Sequence, residues 1–291
     1  MSAEPADAAY QGTRGAFSEE AARTLLGGGA KLLACATFAA AFEAVNDRRA
    51  RFAVLPIENT LAGSIHTNYD LLASGTLEIV GEAVLRISHA LIAAPGAQME
   101  DVRRVLSHPV ALAQCEGFFR RNPHITAVPV YDTAGAAEQV VDDGVPGAAA
   151  IASANAAEVY GGVILERELE DHTQNFTRFL LLGPAGDKQT APRNAGVGGG
   201  GSSHKTSLMV RLANRPGALH SCLGAFASRQ VDLVKIESRP LHGAPFEYLF
   251  YLDVAGRIED AVVADGVAAV APYALSLRVL GSYPCAPAPR E

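Results

Sequence analysis

The chain has 291 residues, a length typical of about two domains. Its composition, with 49% hydrophobic and 19% charged residues, is typical of a globular protein. The net charge is −7, and the absence of any Lys/Arg-rich run argues against nucleic-acid binding. No apolar run approaches the roughly 20 residues of a membrane span, and the N-terminal residues lack the apolar core of a secretory signal. The four cysteines form no CxxC pair, so we expect reduced thiols in a cytosolic-type compartment.

The front part of the chain alternates predicted strands and helices. In chain order these are strand 8–11, helix 19–26 with Ser18 as N-cap, strand 32–36, helix 37–48, strand 52–57, a helix reaching Leu72, two strands within 76–92, strand 102–107, helix 109–121, strand 126–131, a helix from Thr133, strand 148–152, helix 154–160 and strand 176–182. Repeated strand–helix units predict largely parallel sheets covered by helices. In such sheets a ligand binds beyond the carboxyl ends of the strands.

Residues 184–204 are rich in Pro, Gly and Ser, which predicts a flexible linker. Behind it the predicted elements are strand 206–212, helix 216–228, strands 231–239 and 246–254, helix 259–270 and strand 274–280. This order is the ferredoxin-like βαββαβ plan, and a module of this size indicates regulation or assembly more than chemistry. We therefore predict domains at 6–184 and 205–284, joined by a linker at 185–204.

Two polar segments beside buried strands could carry chemistry. In one, Arg178 could grip a carboxylate with paired hydrogen bonds, and Thr177 offers a hydroxyl that donates and accepts. A strand-edge threonine beside a solvated arginine is the structural alternative. In the other, Glu58 could donate a proton if it is buried, and the backbone amides around Gly63 and Ser64 could hold an anion. A helix-capping loop is the structural alternative there.

Other polar positions have a structural interpretation beside the functional one. His108 stands at a helix start, and Cys115 falls where a core residue is expected. Thr133 either caps a helix or contacts a ligand through its hydroxyl. Gly217 opens a small-residue turn that would admit a ligand to the backbone, or simply a turn. No GxGxxG, GxSxG or HExxH motif is present, which argues against dinucleotide oxidoreductases, serine hydrolases of that type and zincins.

Five motifs occur in order and at sensible spacing. They are Tyr10-Gln11-Gly12 with Gly15-Ala16-Phe17-Ser18-Glu19, Leu55-Pro56-Ile57-Glu58-Asn59-Thr60 with Gly63-Ser64, Ser107-His108-Pro109, Thr177-Arg178-Phe179, and Gly217-Ala218-Leu219 with Glu237-Ser238-Arg239-Pro240. Together they resemble the prephenate dehydratase family with a C-terminal ACT domain. The resemblance extends from Tyr10 to about Tyr283.

The resemblance implies an α/β fold with a two-lobed catalytic domain like type 2 periplasmic binding proteins, followed by a ferredoxin-like βαββαβ ACT domain. The active site is expected in the cleft between the lobes, and the strand of Thr177 is expected to return to the first lobe. The family's catalytic threonine carries over to Thr177, with Arg178 and Phe179 beside it and Glu58 as a further candidate proton source. The implied substrate-binding residues are Asn59, Thr60, Gly63, Ser64, Thr133 and Asn175.

The implied reaction is the joint loss of carbon dioxide and water from prephenate, which gives phenylpyruvate. Aromatisation of the ring drives it, so neither a cofactor nor a metal is expected. The ACT resemblance implies L-phenylalanine as effector, bound between paired ACT domains of a homodimer or homotetramer. The implied effector-binding residues are Gly217, Ala218, Leu219, Glu237, Ser238, Arg239 and Pro240.

Residues 63–70 and 132–137 resemble the plant branch of the family, which prefers arogenate, so arogenate dehydratase is the alternative. Two other classes stay open at this stage. They are a non-catalytic amino-acid-binding sensor and a structural partner of another enzyme. The length leaves no room for an N-terminal chorismate mutase domain, so we expect a monofunctional enzyme. Its expected compartment is the cytoplasm, or the plastid stroma if the source is a plant or alga, with no nucleic-acid or membrane partner.

Overall fold

The computed structural model describes residues 4–186, 203–241 and 243–287. Most of the predicted linker, residues 187–202, lies outside the described residues. The chain divides into two compact units. Among the described residues, the first unit holds 4–65 and 84–179, and the second holds 66–83 and the residues from 180 to 287. No helix within the described ranges is long and apolar enough to cross a membrane.

Strands and helices alternate through the front part of the chain. In chain order they are β1 (Ala6–Gln11), α1 (Phe17–Leu26), β2 (Leu32–Cys35), α2 (Phe38–Asn46), β3 (Ala50–Asn59), β4 (Gly63–Ser64), α3 (His66–Ser74), β5 (Leu77–Arg86), β6 (Ala90–Ala93), β7 (Arg104–Ser107), α4 (Pro109–Ala113), α5 (Glu116–Arg121), β8 (Thr126–Pro129), α6 (Thr133–Asp142), β9 (Ala148–Ala152), α7 (Ala154–Tyr160), β10 (Val163–Glu166) and β11 (Phe176–Pro184). The later elements are β12 (His204–Leu212), α8 (Ala218–Ala227), β13 (Leu233–Pro240), β14 (Tyr248–Ala255), α9 (Ala261–Val270) and β15 (Ala274–Pro284). Single 3-10 turns occupy Met99–Asp101 and Ala271–Tyr273.

The strands of the front part form two sheets, one for each lobe of the expected fold. The first has the order β2-β1-β3-β11-β5, with β4 beside β3, and the second has the order β10-β6-β9-β7-β8. β1 pairs in parallel with β2 and β3, and β7 pairs in parallel with β8 and β9. β11 lies next to β3, so the strand that carries Thr177 returns to the first sheet, as expected.

Both faces of the second sheet are buried. On β9, Ala148, Ala150 and Ala152 join a core with the residues of α6 and α7, whereas Ala149 and Ile151 join a core with those of α4 and α5. Alternate residues of a strand point to opposite faces, so a five-residue apolar strand packs against helices on both sides. The small alanines let the helices come close to the sheet.

The later strands form a four-stranded antiparallel sheet with the order β13-β14-β12-β15, which confirms the predicted βαββαβ plan. Leu208, Val210 and Leu212 alternate into the core shared with α8 and α9. Helix α3 belongs to this second unit, although its residues precede the unit's sheet by more than a hundred positions. The Tyr251 hydroxyl donates to the Tyr69 carbonyl at 2.8 Å, which ties the helix to β14.

Several predicted boundaries are wrong. Helix α1 begins at Phe17 after an Ala16 N-cap, so Ser18 lies inside the first turn rather than capping it. Asp132, not Thr133, caps α6, because its carboxylate accepts from the Gly135 N–H. The predicted helix 109–121 is two helices with a break after Ala113, and helix α8 begins at Ala218 rather than at 216. The short strands β4 and β10 were not predicted.

Candidate functional site

A cavity of about 550 Å³ lies in the first unit, a volume within the range of small-molecule sites. Residues that follow or end strands of both sheets line it, which agrees with a site beyond the carboxyl ends of the strands. Its lining includes Gln11, Gly12, Phe17, Ser18, Asn59, Gly63, Ser64, His89, His108, Gln114, Asp132, Thr133, Thr177 and Phe179. This cavity is the candidate active site.

Asn59 fixes the orientation of the Thr177 hydroxyl. The Asn59 Oδ1 atom accepts hydrogen bonds from the backbone N–H groups of Leu61 and Ala62 at 3.0 and 2.8 Å. Its Nδ2 atom must therefore face β11, where it lies 2.9 Å from Thr177 Oγ1 and 2.8 Å from Asn175 Oδ1. An amide nitrogen only donates, so the Thr177 oxygen accepts and its own hydrogen remains available to a ligand.

The hydrogen bonds continue from Asn175 to the second sheet's side of the cavity. Asn175 Nδ2 donates to Gln114 Oε1 at 3.0 Å, and His89 Nε2 lies 3.1 Å from the same oxygen. Because a carbonyl oxygen only accepts, His89 carries its hydrogen on Nε2. Among the described residues the buried Nδ1 atom of His89 has no hydrogen-bond partner. A polar chain thus runs from Thr177 through Asn59, Asn175 and Gln114 to His89.

Burial lowers the pKa of His89, which is 2% exposed. In the unfolded chain this histidine has a pKa of about 6.5 and binds a proton below that pH. In the folded chain its lower pKa keeps it neutral at the same pH. The free energy of unfolding should therefore fall as the pH drops from about 7.5 to 5.5, and His89→Gln should flatten this fall. Urea unfolding at the two pH values tests it. His124→Gln, at an exposed histidine, is the control, and a slope unchanged by His89→Gln contradicts the prediction.

The cavity's electrostatics come from helix ends rather than from cationic side chains. No Lys or Arg is among the described lining residues, and Asp132 is the one carboxylate among them. Phe17 and Ser18 line the cavity in the first turn of α1, whose N-cap Ala16 offers no side-chain hydrogen bond. Free N–H groups at a helix N-terminus favour an anion. The start of α1 can therefore hold a carboxylate.

The turn before α1 requires glycine at position 15. Gly15 has φ of +83°, and a Cβ atom there would lie 2.7 Å from the Ala156 Cα. The Gly15 N–H donates to Glu19 Oε2 at 2.6 Å, and the Ser153 hydroxyl donates to its carbonyl at 2.7 Å. This close approach joins the start of α1 to the start of α7, so it fixes the position of one cavity wall.

The structure brings six of the predicted site residues to the cavity and leaves four away from its lining. Those that line it are Asn59, Gly63, Ser64, Thr133, Thr177 and Phe179. Thr60 and Asn175 instead hold β11: the Thr60 hydroxyl donates to the Gln174 carbonyl and accepts from the Phe176 N–H, each at 2.9 Å. Their expected contact with the substrate stays a prediction.

Glu58 and Arg178 are not among the described residues that line the cavity, and their expected roles as proton source and carboxylate anchor stay predictions. Each precedes a cavity-lining residue on the same strand, Asn59 on β3 and Phe179 on β11. On β11 the cavity-lining residues Thr177 and Phe179 flank Arg178, and neighbouring residues of a strand point to opposite faces, so Arg178 lies on the other face of the strand. The sequence could not show which of two adjacent residues faces inward.

The structural interpretation holds for two residues of the Ser107–Cys115 segment. His108 caps α4 by accepting from the Val110 N–H at 3.2 Å, although it also lines the cavity. Cys115 is fully buried, and burial raises the pKa of its thiol to about 12, so it is a core residue and no nucleophile. Gln114 was not predicted, because its two partners, Asn175 just before β11 and His89 just before β6, are distant in the sequence.

The predicted effector residues lie at the start of α8 and at the end of β13, both in the second unit. Gly217 is the N-cap of α8, with φ of +82°, and Ala218 and Leu219 begin the helix and pack into the core. On β13, Glu237 lies 3.5 Å from His66 of α3, and Arg239 bonds both Asp70 oxygens at 3.3 and 2.9 Å. Ser238 and Pro240 alternate with them and are exposed.

Comparisons with known proteins agree on one family. A sequence model of the family "Prephenate dehydratase" matches residues 8–187. "Arogenate dehydratase/prephenate dehydratase 2, chloroplastic" of Arabidopsis thaliana is 44% identical over 95% of this chain and 72% of that protein. A prephenate dehydratase from Arthrobacter aurescens, solved in complex with L-Phe, is 34% identical, with a TM-score of 0.82 over 95% of this chain and 89% of that one. GqqA, described as a quorum quenching acylase, is 38% identical, with a TM-score of 0.83 over 96% and 98%.

Proposed function

The chain belongs to the prephenate dehydratase family, and from that premise we propose that it removes carbon dioxide and water together from a cyclohexadienol acid, prephenate or its amino-acid counterpart arogenate. The observation that carries the proposal is the donor geometry at Thr177. The Asn59 amide donates a hydrogen bond to Thr177 Oγ1, so the threonine hydroxyl can give its own hydrogen to a leaving hydroxyl group in the cavity.

The reaction needs one proton at one oxygen. The ring C–O bond breaks with its electron pair going to oxygen, which takes up a proton and leaves as water. The C–C bond to the ring carboxylate breaks with its pair entering the ring, so carbon dioxide leaves and the ring becomes aromatic. An isolated hydroxyl is a poor acid, so Thr177 serves best as a positioned donor whose proton is restored from water.

The other cavity residues bind and orient the substrate in this proposal. The uncapped start of α1 at Phe17 and Ser18 supplies N–H groups and a hydroxyl for a carboxylate. Gly63 and Ser64, in β4, border the cavity beside Asn59. Phe179 and Ile87 add apolar wall, and a less polar surrounding favours loss of a carboxylate as neutral carbon dioxide.

A turnover assay of the purified chain tests the proposal. Prephenate should give phenylpyruvate or arogenate should give phenylalanine, with absorbance of the aromatic product as the readout. The assay also includes an N-acyl amide as a test compound, because the similar protein GqqA is described as a quorum quenching acylase. Amide hydrolysis without turnover of either cyclohexadienol acid would overturn the proposal.

L-Phenylalanine is the proposed effector, since a relative was solved in complex with it. The route for its effect is helix α3, which follows the cavity residue Ile65 directly in the chain. Arg239 and Glu237 of the effector motif bond this helix at Asp70 and His66. A shift of β13 on effector binding would therefore move α3, and with it the cavity residue Ile65 that directly precedes the helix.

Asp70→Asn should weaken inhibition by phenylalanine, because it removes the charge and one of the two oxygens that accept hydrogen bonds from Arg239. We expect the half-inhibiting concentration to rise by about 5- to 20-fold, the range of a modest coupling free energy. Inhibition curves at fixed substrate measure it. Asp265→Asn, at an exposed position on α9, is the matched control. Equal inhibition of both variants would remove this contact from the regulatory route.

We further propose that residues 6–184 form the catalytic domain and 205–284 an ACT domain, joined by a linker at 185–204, and that the chain is a homodimer or homotetramer. The support is the family membership and the complete βαββαβ order of the second unit's sheet. Light scattering with and without phenylalanine tests the assembly. Plant relatives named chloroplastic support a plastid location if the source is photosynthetic.

A further inference from the structure

The two candidate substrates differ at a single group. Prephenate carries a keto group beside its side-chain carboxylate, and arogenate carries an ammonium group there. An ammonium group donates three hydrogen bonds and is positively charged, whereas a keto group only accepts. A negatively charged acceptor at this place therefore favours arogenate over prephenate.

Asp132 is the one carboxylate among the described residues that line the cavity, and no Lys or Arg stands among them to neutralise it. Its Oδ1 atom accepts from the Gly135 N–H and lies 3.5 Å from the Thr13 hydroxyl. Among the described residues, none donates a hydrogen bond to the Asp132 Oδ2 atom. As the N-cap of α6, the Asp132 side chain is held in a fixed place at the cavity.

Thr133 lies next to Asp132 and also lines the cavity. Its hydroxyl and the start of α6 can receive a carboxylate, while Asp132 receives a cation. A donor for a carboxylate beside an acceptor for an ammonium group matches an α-amino acid. A 2-oxo acid would bring its carboxylate towards Asp132 without a compensating cation.

We infer that Asp132 determines substrate preference by binding the ammonium group of arogenate and repelling the 2-oxo acid of prephenate. This inference rests on the proposed function, because it assigns the substrate of the same site. It makes arogenate the better substrate of this chain, and it assigns the end of the substrate that carries the amino acid to the start of α6.

Asp132→Asn tests the inference, because asparagine caps a helix as well as aspartate does but carries no charge. The ratio of kcat/KM for arogenate to that for prephenate should fall by about 10- to 100-fold, the worth of one hydrogen bond to a charged group. Most of the change should be lost arogenate turnover. Asp143→Asn, at the exposed C-cap of the same helix, is the control and should leave the ratio unchanged.

The outcomes separate the two proposals. If the wild-type chain turns over neither acid, the proposed function itself fails. If the wild-type chain prefers prephenate, or if Asp132→Asn keeps the wild-type ratio, only the role of Asp132 is overturned. Should Asp132→Asn unfold, Asp132→Ser keeps a capping hydroxyl without charge and must shift the ratio in the same direction.

Discussion

Thr177→Val should lower kcat by about 10²- to 10⁴-fold while leaving KM within a few-fold, the loss expected for a group that transfers a proton in the transition state. Valine has nearly the shape of threonine and keeps the strand, but it offers no hydrogen to the leaving hydroxyl group. Thr177 is buried on β11, and without its hydroxyl the Asn59 amide still has the Asn175 Oδ1 and the Phe176 carbonyl as acceptors, so the fold should tolerate the change. Steady-state kinetics on the better substrate measure the effect.

Thr177→Ser is the matched rescue, because serine keeps the hydroxyl and should retain a large part of kcat. Thr126→Val, at an exposed threonine on β8, controls for loss of a hydroxyl in general and should behave like the wild type. Near-wild-type kcat for Thr177→Val would remove the threonine from the proton transfer. Equal losses for the serine and valine variants would show that the hydroxyl alone does not account for the role of Thr177.

Asn59→Asp should lower kcat by about 10²-fold or more near neutral pH, although the side chain changes by a single atom. One carboxylate oxygen can still accept from the Leu61 and Ala62 N–H groups. The other would face the Thr177 and Asn175 oxygens, where it cannot donate. The Thr177 hydrogen would then turn to the carboxylate and be withdrawn from the substrate.

The same substitution should destabilise the fold by about 3 kcal/mol, because it buries a charge among acceptors. Both effects should shrink as the pH falls, since a protonated carboxyl regains a hydrogen to donate. Urea unfolding and kcat between about pH 8 and pH 5 measure them. Asn155→Asp, at a half-buried position on α7, is the control. Full activity of Asn59→Asp at neutral pH would contradict the assigned hydrogen-bond direction.

The order of elements was predictable because each rests on local periodicity. Alternating apolar residues at Leu208, Val210 and Leu212 predicted a strand with one buried face, and the structure has it. Capping positions were less predictable, since a serine inside the first turn and a serine before it look alike in sequence. The break within helix 109–121 also escaped prediction, because a distant group contributes to it: the Gln114 carbonyl accepts from the Asp171 N–H at 2.7 Å.

The sequence by itself determined the fold class, the family and the two segments that meet at Thr177, because these depend on periodicity and on motifs of neighbouring residues. Only the tertiary structure decided which members of those motifs line the cavity. Asn59 bonds Thr177 and lines the cavity, whereas its neighbour Glu58 is not among the described residues that line it. Contacts between residues 116 to 118 positions apart fix the hydroxyl's direction, and no local pattern encodes such a contact.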